Sequence, residues 1–209
     1  MDYVLFGIQG SGKGTQGKIL AEKLGLEMFE TGAFLRILAK KNSTLGKKVK
    51  NIIEAGHLVP SEVVMEIVEN FLKTLPKNKN VLFDGIPRNE NQAKQFIHLM
   101  KKFGRSFTGI FIHLSEKEAI KRLKKRRMCE NCKMIFAVNN DKSTCEKCGG
   151  KLIKRKDDTL KSIQTRIQAF KKETMPVIEK LKKKAKFVEI NGEQAVDKVN
   201  FELISKIVS

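Results

Sequence analysis

The sequence predicts an α/β fold: a five-stranded parallel sheet flanked by helices, plus a small helical insertion and a small cysteine-rich ribbon. Three observations carry this expectation. Short apolar runs alternate with helical patterns, a glycine-rich loop joins the first run to the first helix, and four cysteines lie between positions 129 and 148. Such alternation is what parallel strands joined by crossover helices produce.

Strand candidates are residues 3–6, 28–29, 81–83, 109–114 and 187–190, and helical patterns cover 13–24, 33–40, 62–75, 91–103, 116–127, 160–184 and 196–208. Ser115 followed by Glu118 reads as a capping box opening the helix at 116, and Ser61 is placed to cap the helix at 62. The alternation breaks between residues 30 and 60, where short helical pieces are joined by polar turns, and again in the cysteine segment. Both breaks follow strand ends, where open parallel sheets bind ligands. His113 falls inside a strand and is expected to pack, while His57 and His98 are read as incidental.

A chain of 209 residues supports one good-sized core with small inserted subdomains. The net charge of +19, from 42 basic and 23 acidic residues, fits an anionic partner or a lysine-rich solvated surface. Charge alone does not argue for nucleic acid. No run of 18 apolar residues occurs and Met1-Asp2-Tyr3 opens no signal peptide, so a soluble, cytoplasmic protein without membrane contact is expected.

The loop Gly7-Ile8-Gln9-Gly10-Ser11-Gly12-Lys13-Gly14-Thr15 fits the phosphate-binding pattern G-x-x-x-x-G-K-[ST], except that Gly14 stands where Ser or Thr is expected and Thr15 comes one place later. A strand, a glycine loop and a helix N-terminus in that order turn backbone N–H groups and a partial positive charge toward an anion. Without a hydroxyl at 14, direct ligation of a magnesium ion by the loop is in doubt. A second informative stretch runs from Asp84 through Gly85, Ile86, Pro87 and Arg88 to Gln92. An aspartate ending a strand beside a phosphate loop is placed to hold magnesium, directly or through water. An arginine fork suits phosphate, and an amide can read a base edge.

Cys129-x2-Cys132 and Cys145-x2-Cys148, separated by 12 residues, form two thiolate knuckles able to close a tetrahedral zinc site. With four thiolates there is no open ligand position, so the metal is structural and folds a segment too small for its own core. Ile135 and Phe136 can supply a little apolar packing there, and Gly149-Gly150 permits a sharp turn. Iron suits the same ligands.

Taken together, the stretches GIQGSGKGTQ (7–16), TGAFLR (31–36), GHLVPSE (56–62), DGIPRNENQ (84–92), RLKKRR (122–127), RKDD (155–158) and NGEQ (191–194) resemble adenylate kinase, a nucleoside monophosphate kinase, in its long form with a zinc-binding lid. The resemblance spans nearly the whole chain. It implies a P-loop NTPase-type core domain (1–29, 60–120 and 159–209), a monophosphate-binding domain (30–59) and a lid domain (121–158). Gly10, Ser11, Gly12, Lys13, Gly14 and Thr15 would then grip ATP, with Arg122, Arg126 and Gln194 on the same nucleotide. Thr31, Gly32, Arg36, Gly56, Leu58, Val59, Gly85, Arg88, Gln92, Arg155 and Arg166 match the AMP positions. Catalysis would fall to Lys13, Arg88, Arg122, Arg126, Arg155, Arg166 and Asp84, with Asp157 and Asp158 orienting the lid arginines. Asp84 matches a water-mediated magnesium contact. The family motif itself reads GKGT, which accounts for Gly14, and a cis bond is implied at Ile86-Pro87.

The implied reaction is transfer of the ATP γ-phosphoryl group to AMP, giving two ADP, by a monomer using magnesium with ATP and a structural zinc, with no nucleic acid involved. A kinase for another monophosphate, or a nucleic-acid-binding zinc-ribbon NTPase, are the alternatives; acceptor preference and nucleic-acid-stimulated, salt-sensitive ATPase activity distinguish them. The sequence departs from the family at Ala33 and Ser61, both acidic in the usual pattern. Arg122 and Arg126 are expected one helical turn apart, in a basic cluster that needs an anion nearby.

Overall fold

The computed structural model describes residues 1–136 and 143–208. In chain order they form β1 (Asp2–Phe6), α1 (Lys13–Leu24), β2 (Glu27–Glu30), α2 (Thr31–Leu38), α3 (Thr44–Ala55), α4 (Ser61–Thr74), β3 (Val81–Asp84), α5 (Glu90–Lys102) and β4 (Phe107–His113). Next come α6 (Glu116–Lys125), β5 (Arg127–Cys129), β6 (Ile135–Phe136), β7 (Leu152–Ile153), α7 (Leu160–Ala169), a π-helical turn (Phe170–Thr174), α8 (Met175–Lys182), β8 (Phe187–Asn191) and α9 (Val196–Val208).

Five strands pair in parallel in the order β2-β3-β1-β4-β8. The order reverses at β1, and the crevice beyond its carboxyl end is where such sheets take ligands. The glycine loop leaves β1 at that point. Alternation within each strand sends side chains to both faces. Val4, Phe6, Phe29 and Phe83 pack with residues of α4, α5, α7 and α8, whereas Leu5, Leu82, Ile110 and Ile112 pack with Leu20 of α1 and Val199 and Leu203 of α9. Full burial of one such side chain contributes roughly 1.5–3 kcal/mol, so the two faces fix the sheet between its helices.

The opposite end of the sheet is held by a buried carboxylate. Asp2 receives Nε and Nη2 of Arg105 at 2.6 and 2.7 Å and the Val81 N–H at 2.8 Å, tying β1 to β3 and to the turn before β4. In sequence this residue was merely part of the N-terminus. Among the described residues no helix is long and apolar enough to cross a membrane.

Several local expectations need correction. Residues 44–55 form one full helix rather than short pieces, opened by Ser43, whose hydroxyl accepts the Gly46 N–H at 3.0 Å, and closed by Gly56 at φ 84°. The Ser115 capping box is only half formed: Ser115 Oγ accepts from Glu118 N–H, but the Ser115 N–H is served by Glu193 because Glu118 turns to Arg122 and Lys121. Pro60, not Ser61, is the cap of α4, and the Ser61 hydroxyl instead donates to Asn89 at 3.3 Å.

The helix expected over 116–127 stops at Lys125. Arg126 leaves it with ψ 135° and Arg127 begins β5, so Arg122 and Arg126 do not share a helical turn. The single helix expected over 160–184 is divided by the π turn just ahead of Pro176, whose missing N–H interrupts the regular ladder. His113 is exposed at the end of β4, its Nε2 2.5 Å from Glu189 Oε2.

Candidate active site

Gly10 and Gly12 take φ of 91° and 93°, conformations that side chains disfavour and that curl the loop's amides around one point. Lys13 opens α1 and folds its ammonium back onto the carbonyls of Gly7 and Ile8 at 2.6 and 3.1 Å. Ser11 is buried, Gly14 is half-buried and Thr15 is exposed. Gly10 lies against Ala119 and Leu123 of α6, and Gly192 lies against the Ser11 carbonyl, so the segments bearing Arg122 and Gln194 flank the loop.

Beside the loop, β2 and β3 end together. Glu30 and Asp84 are register partners, and Glu30 Oε1 holds Arg36 at 2.9 Å. The chain then turns through Gly85 and the cis Ile86-Pro87 bond to Arg88. Arg88 lies back over its own turn, Nε donating to the Gly85 carbonyl at 2.8 Å; a Cβ on residue 85 would fall 2.7 Å from Nη2, so glycine is required there. Gln92 is buried on the first turn of α5, where its Oε1 accepts the Arg88 N–H at 2.8 Å. Thr31 is buried at the start of α2, Gly32 lies beneath the Arg36 guanidinium, and Gly56, Leu58 and Val59 line the turn after α3, with Gly56 against Ser162.

A third group comes from the far side. Asp158, 1% exposed, takes Nε and Nη2 of Arg126 at 2.9 and 2.7 Å and Nη2 of Arg166 at 2.8 Å. Arg166 also reaches the Asp157 carboxylate at 3.4 Å and its carbonyl at 2.6 Å. This explains the early end of α6: leaving the helix lets Arg126 make a forked, charge-assisted pair with a buried carboxylate. Within the basic cluster Asp158 serves Arg126, while Glu118 serves Arg122 and Lys121.

Electrostatics joins these groups into one site. Burial pushes Lys13 down to about 8, with Arg88 and Arg126 adding to the shift and Asp84 opposing it. Burial raises Asp84, and Glu30 raises it further, against Lys13, Arg88 and Arg36. Burial lowers Arg88, and it lowers Arg155 to about 10 with help from Arg126 and Arg36. Asp158 resists the upward push of burial, because Arg126 and Arg166 hold it below the ordinary carboxylate range. Nε of Arg155 and the hydroxyls of Ser11 and Thr31 are buried without a partner among the described residues, polar atoms suited to a polyanion.

Arg122 and Gln194 stand outside this group. Arg122 pairs with Glu118 at 3.0 Å, and Gln194 donates to Glu202 at 2.8 Å and to the Asn191 carbonyl at 3.3 Å.

The four cysteine sulfurs lie within 4.8 Å of one another, with Cys129–Cys148 at 3.5 Å and Cys132–Cys145 at 3.6 Å. A tetrahedron with metal–sulfur bonds of about 2.3 Å has edges of ~3.8 Å, so the cage matches a four-thiolate ion. The knuckles repeat the same turn: Lys133 N–H bonds to Cys129 O and Gly149 N–H to Cys145 O, and residues 133 and 149 take φ of 59° and 68°. Phe136 and Leu152 fill the space beside Cys129 and Cys145, Leu152 taking the place expected for Ile135.

A phosphate loop, an opposed arginine set and a four-thiolate ribbon in one chain already narrow the candidates. The adenylate kinase family model matches residues 5–186. The chain belongs to the adenylate kinase family. A protein named adenylate kinase from Borrelia turicatae is 37% identical over 211 residues, covering 99% of each chain. Namesakes from Caldanaerobacter subterraneus subsp. tengcongensis (37% over 211 residues, 99% of this chain and 95% of the other) and Methanocella arvoryzae (34% over 212 residues, 99% and 98%) are similar.

Two residues of this adenylate kinase family site were not singled out from sequence. Glu30 looks like an ordinary acidic residue until register sets it against Asp84, and Thr174, whose hydroxyl donates to the Arg88 carbonyl at 2.8 Å, looks like one polar position in a long helix. Only the strand end before the Thr-Gly pair could have pointed to Glu30.

Proposed function

We propose that the chain catalyses reversible transfer of the ATP γ-phosphoryl group to AMP, giving two ADP, as a cytoplasmic monomer. In this reading residues 1–29, 60–120 and 159–209 are the core, 30–59 receives AMP, and 121–158 is the lid. The observation carrying it is the meeting of two cationic sets at Asp84, Lys13 with the loop amides on one side and Arg36 and Arg88 on the other, with Arg166 next to Arg88 and Arg155 next to Arg36. Both sets come from one chain, so no partner subunit is needed.

Gly10, Ser11, Gly12, Lys13, Gly14 and Thr15 hold the donor's phosphates, and Arg122, Arg126 and Gln194 act on the same nucleotide. Arg36 and Arg88 clamp the acceptor's phosphate, Gln92 and Thr31 meet its base side, and Gly32, Gly56, Leu58, Val59 and Gly85 shape the pocket. Arg155 and Arg166, oriented by Asp157 and Asp158, close over the transferring group. A bond forms from an AMP phosphate oxygen to the γ-phosphorus as the bond to the β-phosphate oxygen breaks. The acceptor oxygen is already ionised near neutral pH, so no general base is required. Positioning and charge stabilisation therefore carry the chemistry, and water is kept out by closure. The exposed positions of His57, His98 and His113 agree with that.

Magnesium bound with ATP supplies charge neutralisation at the β- and γ-phosphates. Asp84 suits a water-mediated contact: its Oδ2 lies 3.8 Å from where a Cβ on Gly14 would sit, and glycine contributes no hydroxyl there. Cys129, Cys132, Cys145 and Cys148 would hold zinc as a structural ion.

A coupled assay with ATP-Mg as donor and AMP, UMP, CMP or GMP as acceptor tests the reading. AMP is expected to be converted fastest, with two ADP formed per turnover. No ADP from ATP and AMP, or faster conversion of another acceptor, would overturn it.

A further inference from the structure

Arg88 is held from an unexpected direction. Its carbonyl accepts a 2.8 Å hydrogen bond from the hydroxyl of Thr174, 86 positions away in sequence, in the π turn between α7 and α8. A threonine inside a regular helix ordinarily returns its hydroxyl to a carbonyl one turn back. Here the widened turn passes the Met175 N–H to the Phe170 carbonyl, and the buried Thr174 hydroxyl crosses to another segment. The cause is local. Pro176 offers no N–H to the preceding turn and its ring crowds the carbonyl four residues back, so the helix opens by one residue just before it.

Three contacts then fix Arg88. Its N–H goes to Gln92 Oε1, its Nε to the Gly85 carbonyl and its carbonyl to Thr174. The same helical run carries Arg166 one element earlier, bound to Asp157 and Asp158. One run therefore presents Arg166 through its own side chain and aims Arg88 through that residue's backbone.

We propose that Thr174, displaced inward by the π turn before Pro176, is a positioning residue for Arg88 and sets the affinity of the site for the phosphate of the acceptor monophosphate. The inference rests on the reading of Arg88 as a phosphate-binding residue. A hydroxyl at 174 holds the peptide unit from which the guanidinium springs; without it the Arg88 carbonyl is left without this partner and the turn is free to shift.

Steady-state kinetics of Thr174→Val, Thr174→Ser and Pro176→Ala, with AMP varied at saturating ATP-Mg and the reverse, test this beside thermal melting of each variant. Valine keeps the shape and deletes the hydroxyl, so KM for AMP should rise about three- to tenfold, as one lost hydrogen bond allows, while KM for ATP stays within about twofold. Serine should restore KM for AMP. Pro176→Ala retains the hydroxyl but lets the helix close, and should raise KM for AMP as valine does; it decides the matter if the valine variant does not fold. An unchanged KM for AMP, or KM values for both nucleotides rising together, overturns the proposal. A wild-type protein that makes no ADP from ATP and AMP defeats the functional reading instead, which separates the two failures.

Discussion

Glu30 and Asp84 face each other in register at the carboxyl ends of β2 and β3, two carboxylates side by side at the mouth of the sheet. Glu30 also holds Arg36 at 2.9 Å. An acid thus sits at the start of α2 although residue 33 is alanine, three positions from Glu30.

The pairing has a pH signature. Burial raises Asp84 first and Glu30 adds to it, so removing the Glu30 charge lets Asp84 ionise at lower pH. For Glu30→Gln the acidic limb of the kcat/KM profile should move toward lower pH. A limb that stays in place would show that Glu30 does not act on Asp84.

Lys13 should reveal itself through protons. In the unliganded protein it titrates near 8, and an ATP polyphosphate placed against it favours the charged form. ATP binding near pH 8 should therefore take up protons, measured by calorimetry in buffers of different ionisation heat; equal heats across buffers would contradict this. Its folded pKa of about 8 lies below the ordinary 10.5, so between those values the unfolded chain holds a proton the folded one has shed. Stability of the unliganded protein should rise with pH through that window on this account. Lys13→Met should lower kcat by roughly 10²–10³, the scale of one preorganised donor lost from a transition-state site.

Asp158 joins Arg126 to Arg166, and its removal strands Arg126 and leaves Arg166 only Asp157 as a carboxylate partner. Asp158→Asn should destabilise the protein by about 3–5 kcal/mol, the range for breaking a buried ion pair from one side. Because its folded pKa is depressed, its contribution is present above the ordinary carboxylate pKa and is lost as pH falls through the folded value. Chemical denaturation at neutral and acid pH checks both: the gap between wild type and Asp158→Asn should narrow on acidification.

Cys129→Ser, or prolonged treatment with a strong chelator, should lower the melting temperature more than it changes turnover at a temperature where the variant is folded. The small sheet of β5, β6 and β7 is packed around Cys129, Cys145, Leu152 and Phe136, too few groups to hold it without an ion. Identical melting curves with and without chelator would mean that the thiols hold no structural metal.

Much of this site could be read in the sequence because its chemistry is local. The glycine loop, Asp84 with Arg88 and the paired cysteines are contiguous or nearly so, and strand ends place them. The elements that depart from the local pattern depend on distant partners. The helix through Arg126 looked continuous because its end is set by Asp158, 32 residues on, rather than by any breaker within it. The run from 160 to 184 contains Pro176 in plain view, yet the choice between a kink and a widened turn depends on Thr174 finding the Arg88 carbonyl. Residues 44–55 read as short helical pieces rather than one helix because their lysine-rich face obscures the apolar positions Val49, Ile52 and Ile53. Glu30 required strand register, which only pairing reveals.

The depressed cations of the site make its occupancy a matter of protein lifetime. Lys13, Arg88 and Arg155 are all held in surroundings that disfavour their charge. Any polyphosphate that settles among them relieves that strain and so binds the native fold in preference to the open chain. Endurance against heat and proteases should therefore rise as such an anion is added.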